Sequence, residues 1–504
     1  MDILNNLSPL DRFNTTLIEN VFPQPWINPS PKRLYDLIVI RGGIAGYTAA
    51  KKAAAHGARV ALVQNGPLGG SKLTCGQIPL AIMAQAAFEY SSRSFEEGLD
   101  FTSLFSHTHF GEVMKRIRQT RSELSERYKT YSVTNAGIHL FFGSAAFRSK
   151  RILIVDGSEL KFKRAIIASG ANTVIPNIPG LHDSGFLTSE NLFTLTEQPH
   201  SVSVFGSGPH ACEIAQIFRH LGSQVIIICP KEKLLPLEDE SVSSMIEQQL
   251  TDQGIRILHN AAIKQVQLKE EKRVIRLDWK GTDESISSEA LIIAHKIHST
   301  TDSLDTATAD VSREGKRIIT DKFLRTSNPR IYAAGDCCLR HKYSHIAERS
   351  GNVAAHNALF ANKRSIHGFV IPTAISTYTP VARVGLNQKE ALEEGIDFNL
   401  YQRSYTDIDR PVIDRRSSGY VQVLIQKKSD IILGATVIGA QSTEIISLFT
   451  LAMQSGIGLK HLDSMLYLSP AYAESIKELA EKVAHPQISS ARRSLLSLWH
   501  KLKS

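Results

Sequence analysis

Leu37-Ile38-Val39-Ile40-Arg41-Gly42-Gly43-Ile44-Ala45-Gly46 is the stretch whose reading decides the fold. An apolar, β-branched run ends in glycines, an Ala-rich segment from Thr48 to Ala55 follows, and the chain returns in Arg59-Val60-Ala61-Leu62-Val63. Periodicity reads this as strand, glycine turn, helix and strand, and the length suits a βαβ unit that binds a dinucleotide at its turn. Gly43 and Gly46 keep two of the fingerprint's three glycines. Two positions depart from it. Arg41 stands where the first glycine eases the tight turn, and Gln64 stands where an acid normally holds the ribose hydroxyls.

A second unit with the same grammar runs Val202-Ser203-Val204-Phe205-Gly206-Ser207-Gly208-Pro209-His210-Ala211, then a helix through Leu221 and a strand from Gln224 to Cys229. Gly206 and Gly208 hold their places, and alanine at the third glycine position, Ala211, is an accepted variant. The position where an acid selects NAD is Cys229, with Lys231 and Lys233 just beyond. Two readings of these lysines stay open: they meet a 2′-phosphate, which favours NADPH over NADH, or they form the solvated face of a loop.

With 504 residues, 42% of them hydrophobic and 21% charged, the chain is long enough for about three domains with separate cores. It carries no apolar run of about eighteen residues, no signal-peptide pattern, no low-complexity tract and no short repeat, which predicts a cytoplasmic protein. The five cysteines, Cys75, Cys212, Cys229, Cys337 and Cys338, form neither a C-x-x-C nor a zinc spacing, and an odd count suits a reducing compartment. Cys337-Cys338 reads as packing rather than as a reactive vicinal pair. The eighteen histidines include no H-E-x-x-H, and no metal site is expected. The net charge of +9 does not imply nucleic acid, because most Lys and Arg alternate with acids, as from Lys115 to Lys129. The exception is the tail at 487–504, where Arg492, Arg493, Lys501 and Lys503 surround Leu495, Leu498, Trp499 and Leu502 at helical spacing. That tail is either a docked terminal helix or a weak contact with a membrane surface.

More of the same frame follows. Ala165-Ile166-Ile167-Ala168-Ser169-Gly170 and Ile331-Tyr332-Ala333-Ala334-Gly335-Asp336 each read as a buried strand ending in a tight turn, with Asp336 facing a cofactor crevice. After residue 370 the pattern changes to period-two strands, Tyr420 to Ile425 and Ile431 to Ile438, and helices from Thr443 and Ala471, an α+β domain joined near His367-Gly368.

Together these segments resemble the class I pyridine nucleotide-disulfide oxidoreductases, which include dihydrolipoamide dehydrogenase, glutathione reductase and mercuric reductase, over roughly residues 4 to 490. The mercuric reductase-like flavoproteins are similar in the leader, with Val21, Pro25-Trp26 and Asn28-Pro29, and in Asp407-Ile408-Asp409-Arg410 and Gly419-Tyr420-Val421. The resemblance implies an α/β fold with two Rossmann-like domains and a C-terminal α+β dimerisation domain. Residues 1–34 are then an extension, 35–185 with 315–366 the FAD domain, 186–314 the NAD(P) domain, and 367–486 the interface domain of a homodimer. FAD falls to Arg41, Gly43, Gly46, Gln64, Gly170, Gly335 and Asp336, and NADPH or NADH to Gly206, Gly208, Ala211, Glu213, Lys231 and Lys233.

The resemblance also implies a hydride path from NAD(P)H through the flavin to a C-x4-C disulfide, and its two cysteines map onto Lys72 and Gln77. Cys75 lies between them, expected by helix geometry to point elsewhere, and one thiol stores no internal disulfide. The lysine that pairs with the match of Glu213 maps onto Ala81, and the C-terminal proton-handling residue maps onto Ser469, with Pro470 and Glu474 kept. Lys296 takes a glycine of the second nucleotide domain. Two functions follow as expectations: flavin-mediated electron transfer from NAD(P)H to an acceptor other than a disulfide, or an inactive homodimeric scaffold or regulator.

Overall fold

The structure is a computed structural model that describes residues 3–96, 107–361 and 363–485, so the basic tail at 487–504 lies outside the described residues. The leader forms α1 (Arg12–Val21), whose N-terminus is capped by the Asp11 carboxylate accepting from the Phe13 and Asn14 N–H groups. The first βαβ unit is β1 (Tyr35–Ile40), α2 (Ile44–Ala55) and β2 (Val60–Gln64). Then come the short α3 (Ser71–Thr74), the long helices α4 (Gln77–Glu96) and α5 (His107–Ser125), and the strands β3 (His139–Phe142), β4 (Ala145–Ser149), β5 (Ile152–Val155) and β6 (Ser158–Ile167).

β3, β2, β1 and β6 run parallel in that order, with Ile331–Ala333 parallel on the far side of β6. β1 and β2 are buried almost throughout, as strands covered on both faces must be. The first half of β6 turns away to pair antiparallel with β5, and β5 with β4. The parallel register brings Ile40, Val63, Ile167 and Ala333 to one level. Arg41, Gln64, Ala168 and Ala334 therefore emerge together at the carboxyl edge, where open α/β sheets bind ligands.

The second unit repeats the design with parallel strands in the order Arg256–His259, Gln224–Cys229, Ser201–Phe205 and Ala290–Ile293, and with helix Pro209–His220. An antiparallel sheet of Ala262–Lys269, Lys272–Trp279 and Thr282–Ser288 covers its own apolar face with Val266, Ile275, Leu277 and Ile286.

Residues 235–248 group by their contacts with residues from 369 onward. The Asp239 carboxylate accepts from the Gln388 and Lys389 N–H groups at 3.2 and 3.0 Å, and Asn387 Nδ2 donates to the Leu237 carbonyl. This unit has a five-stranded antiparallel sheet in the order Pro372–Ile375, Val381–Gly385, Ile432–Ile438, Tyr420–Gln426 and Phe398–Ser404. Helices Ser442–Gln454 and Glu474–Ala484 pack on it around Val421, Val437, Ile446, Phe449 and Ile476. The last helix begins at Glu474, whose carboxylate accepts from the Ala471 N–H at 2.9 Å. No helix among the described residues is long and apolar enough to cross a membrane.

Candidate dinucleotide site

The first glycine turn closes on itself. Arg41 has φ +78°, a left-handed conformation that favours glycine. It is held there by its N–H on the Val63 carbonyl at 2.7 Å, while a Cβ on Gly46 would stand 1.9 Å from the Arg41 carbonyl oxygen. The Arg41 guanidinium is largely out of water, which pulls its pKa down to about 10, and no acid among the described residues offsets that burial. Gln64, expected to face a ribose, is engaged elsewhere: Oε1 accepts the Gly42 N–H at 3.0 Å, and Nε2 donates to the Pro67 carbonyl at 2.7 Å. An amide has both a donor and an acceptor to offer the turn, whereas a carboxylate has only acceptors, so the substitution suits the closed loop.

Around this turn the other expected residues converge. A Cβ on Gly335, at φ +74°, would stand 3.1 Å from the Ala45 Cβ, and a Cβ on Gly46 would stand 3.2 Å from the Ala168 Cβ. The Asp336 carbonyl accepts from Ser299 Oγ at 2.9 Å and Lys342 Nζ at 2.7 Å, while its buried carboxyl Oδ1 has no partner. Burial raises the Asp336 pKa, and Lys342 opposes the rise. α2 starts at Gly43 without a side-chain cap, and space is open where a Cβ would sit on Gly43 or on Gly170. An uncapped helix N-terminus, an orphaned buried carboxyl oxygen and two open glycines fit a dinucleotide whose phosphates lie on the helix. The fit is weaker at the ribose, where Gln64 is committed.

Lys72 to Gln77 is the segment expected to align with the family's cysteine pair. Lys72 lies half-buried on α3, and Gln77 is the exposed first residue of α4. Cys75 sits between the two helices at φ −145°, so it is set by a break and not by helical spacing. Enclosure of its sulfur pushes the thiol pKa up to about 11. All five cysteines are free, and no two of them are five positions apart, as C-x4-C spacing requires. Behind this segment Arg121 is fully buried, with Nη1 donating to the Thr74 carbonyl at 2.6 Å and Nη2 to Asn14 Oδ1 at 3.0 Å. Sequence reading passed over Arg121, since nothing in a helix pattern marks which arginine faces inward.

At the second turn a Cβ on Gly206 would stand 2.2 Å from the Ala294 carbonyl oxygen, and helix Pro209–His220 begins at Gly208 with no side-chain cap. The Cys229 thiol donates to the Lys231 and Lys233 carbonyls at 3.2 and 3.6 Å, folding the lysine loop back over the strand end. Burial lowers the His295 pKa, and the positive charges of Lys296 and Lys231 add to the fall. Glu213 lies buried 3.7 Å from His210 Nδ1. In the C-terminal unit Ser469 is exposed, and the Glu474 carboxylate accepts from the Ala471 N–H. No group of three or more metal-binding side chains forms among the described residues.

Comparison with known proteins agrees with this architecture. The family model for pyridine nucleotide-disulphide oxidoreductase matches residues 35–358, and the dimerisation domain of the same family matches residues 371–480. A mercuric reductase of Staphylococcus aureus is 29% identical over 448 residues, covering 88% of this chain and 81% of the relative. A dihydrolipoyl dehydrogenase of Chlamydia muridarum is 29% identical over 455 residues, covering 88% and 96%. Among solved structures, the HOCl-induced flavoprotein disulfide reductase RclA from Escherichia coli superposes with a TM-score of 0.80 at 26% identity, covering 89% of this chain and all of that one. The two nucleotide turns, the sheet order and the C-terminal α+β unit therefore have one source: the chain belongs to the pyridine nucleotide-disulphide oxidoreductase family.

Proposed function

We propose that this chain is a flavin-binding oxidoreductase without a dithiol relay, taking electrons from NADPH and passing them to an acceptor other than a disulfide. The buried Asp336 carboxyl oxygen and the uncapped N-terminus of α2 carry the reading, because a buried acceptor calls for a donor and a free helix N-terminus for an anion. Gly43, Gly46, Gly170, Gly335 and Asp336 would hold FAD, with the Arg41 guanidinium recovering only part of what the departures at Arg41 and Gln64 lose. The flavin, when bound, would supply the hydride-accepting ring. Lys231 and Lys233, just beyond the strand that ends at Cys229, favour a 2′-phosphate and so NADPH over NADH. Lys72 and Gln77 at the family's cysteine positions exclude thiol-disulfide exchange there. A homodimer built on the C-terminal unit is supported by the match to the family's dimerisation domain and by the exposure of Leu451, Met465, Leu466 and Leu468.

A second reading, an inactive scaffold, is favoured by Gln64, whose amide is closed onto Gly42 and Pro67 and is withdrawn from any ribose. Titration of apo-protein with FAD separates the two. The first reading expects a yellow protein with bands near about 370 and 450 nm, and FAD binding roughly ten to a hundredfold tighter in the double variant Arg41→Gly, Gln64→Glu. A colourless chain that takes up FAD in neither form is the scaffold. Binding that weakens in the double variant identifies Arg41 as a ligand that replaced the older contacts.

A further inference from the structure

At the amino edge of the second parallel sheet, away from its glycine turn, the structure forms a cavity of about 330 Å³. Pro199 and Glu289, which line it, stand just before the parallel strands Ser201–Phe205 and Ala290–Ile293, whereas Gly206 follows the first of these strands. Five residues of strand, about 16 Å, therefore separate the cavity from the nucleotide turn. Its volume is at the small end of the range of about 300 to 1,000 Å³ for ligand pockets, which suits an occupant far smaller than a dinucleotide.

The wall carries three charges that do not neutralise one another. Arg273, on the strand Lys272–Trp279, is anchored by carbonyls alone. Its Nε donates to the Ser184 and Gly185 carbonyls at 3.2 and 3.3 Å, and its Nη1 to the carbonyls of Glu289 and, at 3.4 Å, Glu271. Nη2 donates to none of the described residues and lies beside Gly185, where an added Cβ would stand 3.4 Å from it. The half-buried Glu289 accepts from the His200 N–H at 2.7 Å through its carboxylate, and Glu197 is exposed. Neither acid forms an ion pair with Arg273 or with another cation among the described residues. Phe186, Leu187, Leu195 and Leu291 complete the wall with apolar surface. Charges of opposite sign held apart around one space are matched together by a ligand that carries both signs.

We propose that this cavity binds a free α-amino acid with an apolar side chain. Arg273 Nη2 takes the α-carboxylate, Glu197 and Glu289 take the α-ammonium, and the side chain lies on Phe186 and the leucines. A neutral ligand would cover three charges without matching any of them. A simple anion would face two carboxylates, and a simple amine would leave the guanidinium unmatched. The cavity shares no residue with either glycine turn, so its occupancy is independent of FAD and of the nicotinamide nucleotide.

The test is calorimetric titration of the full-length chain with L-leucine and L-phenylalanine, with their amides, which lack the carboxylate, and with their N-acetyl forms, which lack the ammonium. The expected result is one amino acid per chain, with amide and N-acetyl forms each binding at least about tenfold more weakly. Saturating NADPH should leave the affinity unchanged. Two variants locate the site. Glu197→Gln alters an exposed side chain and Glu289→Gln keeps an oxygen for the His200 N–H, so both should melt as the native chain does. Each should weaken binding of the amino acid at least about threefold. No binding of either amino acid below about 10 mM, an analogue that binds as well as its parent, displacement by NADPH, or full affinity in both variants overturns the proposal.

Discussion

Arg41 and Cys75 show how much one side chain changes. Arg41 occupies φ +78°, which costs a non-glycine residue about 1 to 2 kcal/mol, while glycine there adds about 0.5 to 1 kcal/mol of unfolded-state entropy. Strain relief wins, and Arg41→Gly without cofactor should stabilise the chain by about 1 kcal/mol in urea unfolding. A loss of stability would mean that the guanidinium makes a favourable contact. Cys75 carries the opposite lesson about reactivity. With its thiol pushed up to about 11 from 9.0, iodoacetamide at pH 8 should alkylate it about a hundredfold more slowly than a cysteine in a peptide. The same shift gives a sign for stability. The folded chain keeps a proton that the unfolded chain loses, so stability is full below pH 9.0 and falls by about 2 kcal/mol toward pH 11, a slope that Cys75→Ala removes.

Between elements, two buried groups tie helices together. His220, the last residue of helix Pro209–His220, meets Ser91 of α4 through Nδ1 at 2.6 Å and stacks edge-on to Phe88 with ring centroids 5.1 Å apart. Burial drives its pKa down to about 4, so the fold binds it neutral while the unfolded chain protonates it near 6.5. Stability is therefore full above pH 6.5 and falls by about 3 kcal/mol as the pH drops to about 4, and His220→Gln should flatten that limb of the pH profile. Arg121 ties α5 to the leader and to the end of α3. Its replacement by Met leaves the Thr74 carbonyl and Asn14 Oδ1 unpaired but also removes a desolvated charge whose pKa is pulled to about 10. Two buried acceptors at about 1 to 3 kcal/mol each outweigh the relief, and α1 should become the first site of limited proteolysis. Resistance equal to the native chain would place the leader's anchoring in the Asp11–Arg118 pair at 2.6 Å.

For the whole molecule, the proposed function predicts that lipoamide, glutathione disulfide and mercuric ion all fail as acceptors with either nicotinamide nucleotide. Turnover above a no-enzyme control that is lost in Cys75→Ser would contradict it. The C-terminal unit exposes an apolar cleft of about 70 Å³ lined by Leu448, Leu451, Ile457, Met465 and Tyr467. Covering such a surface favours self-association, and sedimentation at micromolar concentration should give twice the 55.7 kDa chain mass. A single-chain mass would remove the homodimer from the proposal.

What the sequence determined by itself is whatever depends on local chemistry. Glycines at 46, 206 and 335 announced close approaches, because only a missing Cβ fits 1.9 to 3.1 Å from its neighbour. Apolar runs announced the parallel strands and alternation announced the C-terminal sheet, because side-chain period follows backbone geometry. Arg41 was visible as a misfit for the same reason. The tertiary structure alone decided partnership. Gln64 turns inward to Gly42 and Pro67, Arg121 reaches Asn14 across 107 residues, and Ser189 faces His210. Each of these depends on strand register and helix docking, which bring together residues whose spacing along the chain carries no trace of the contact.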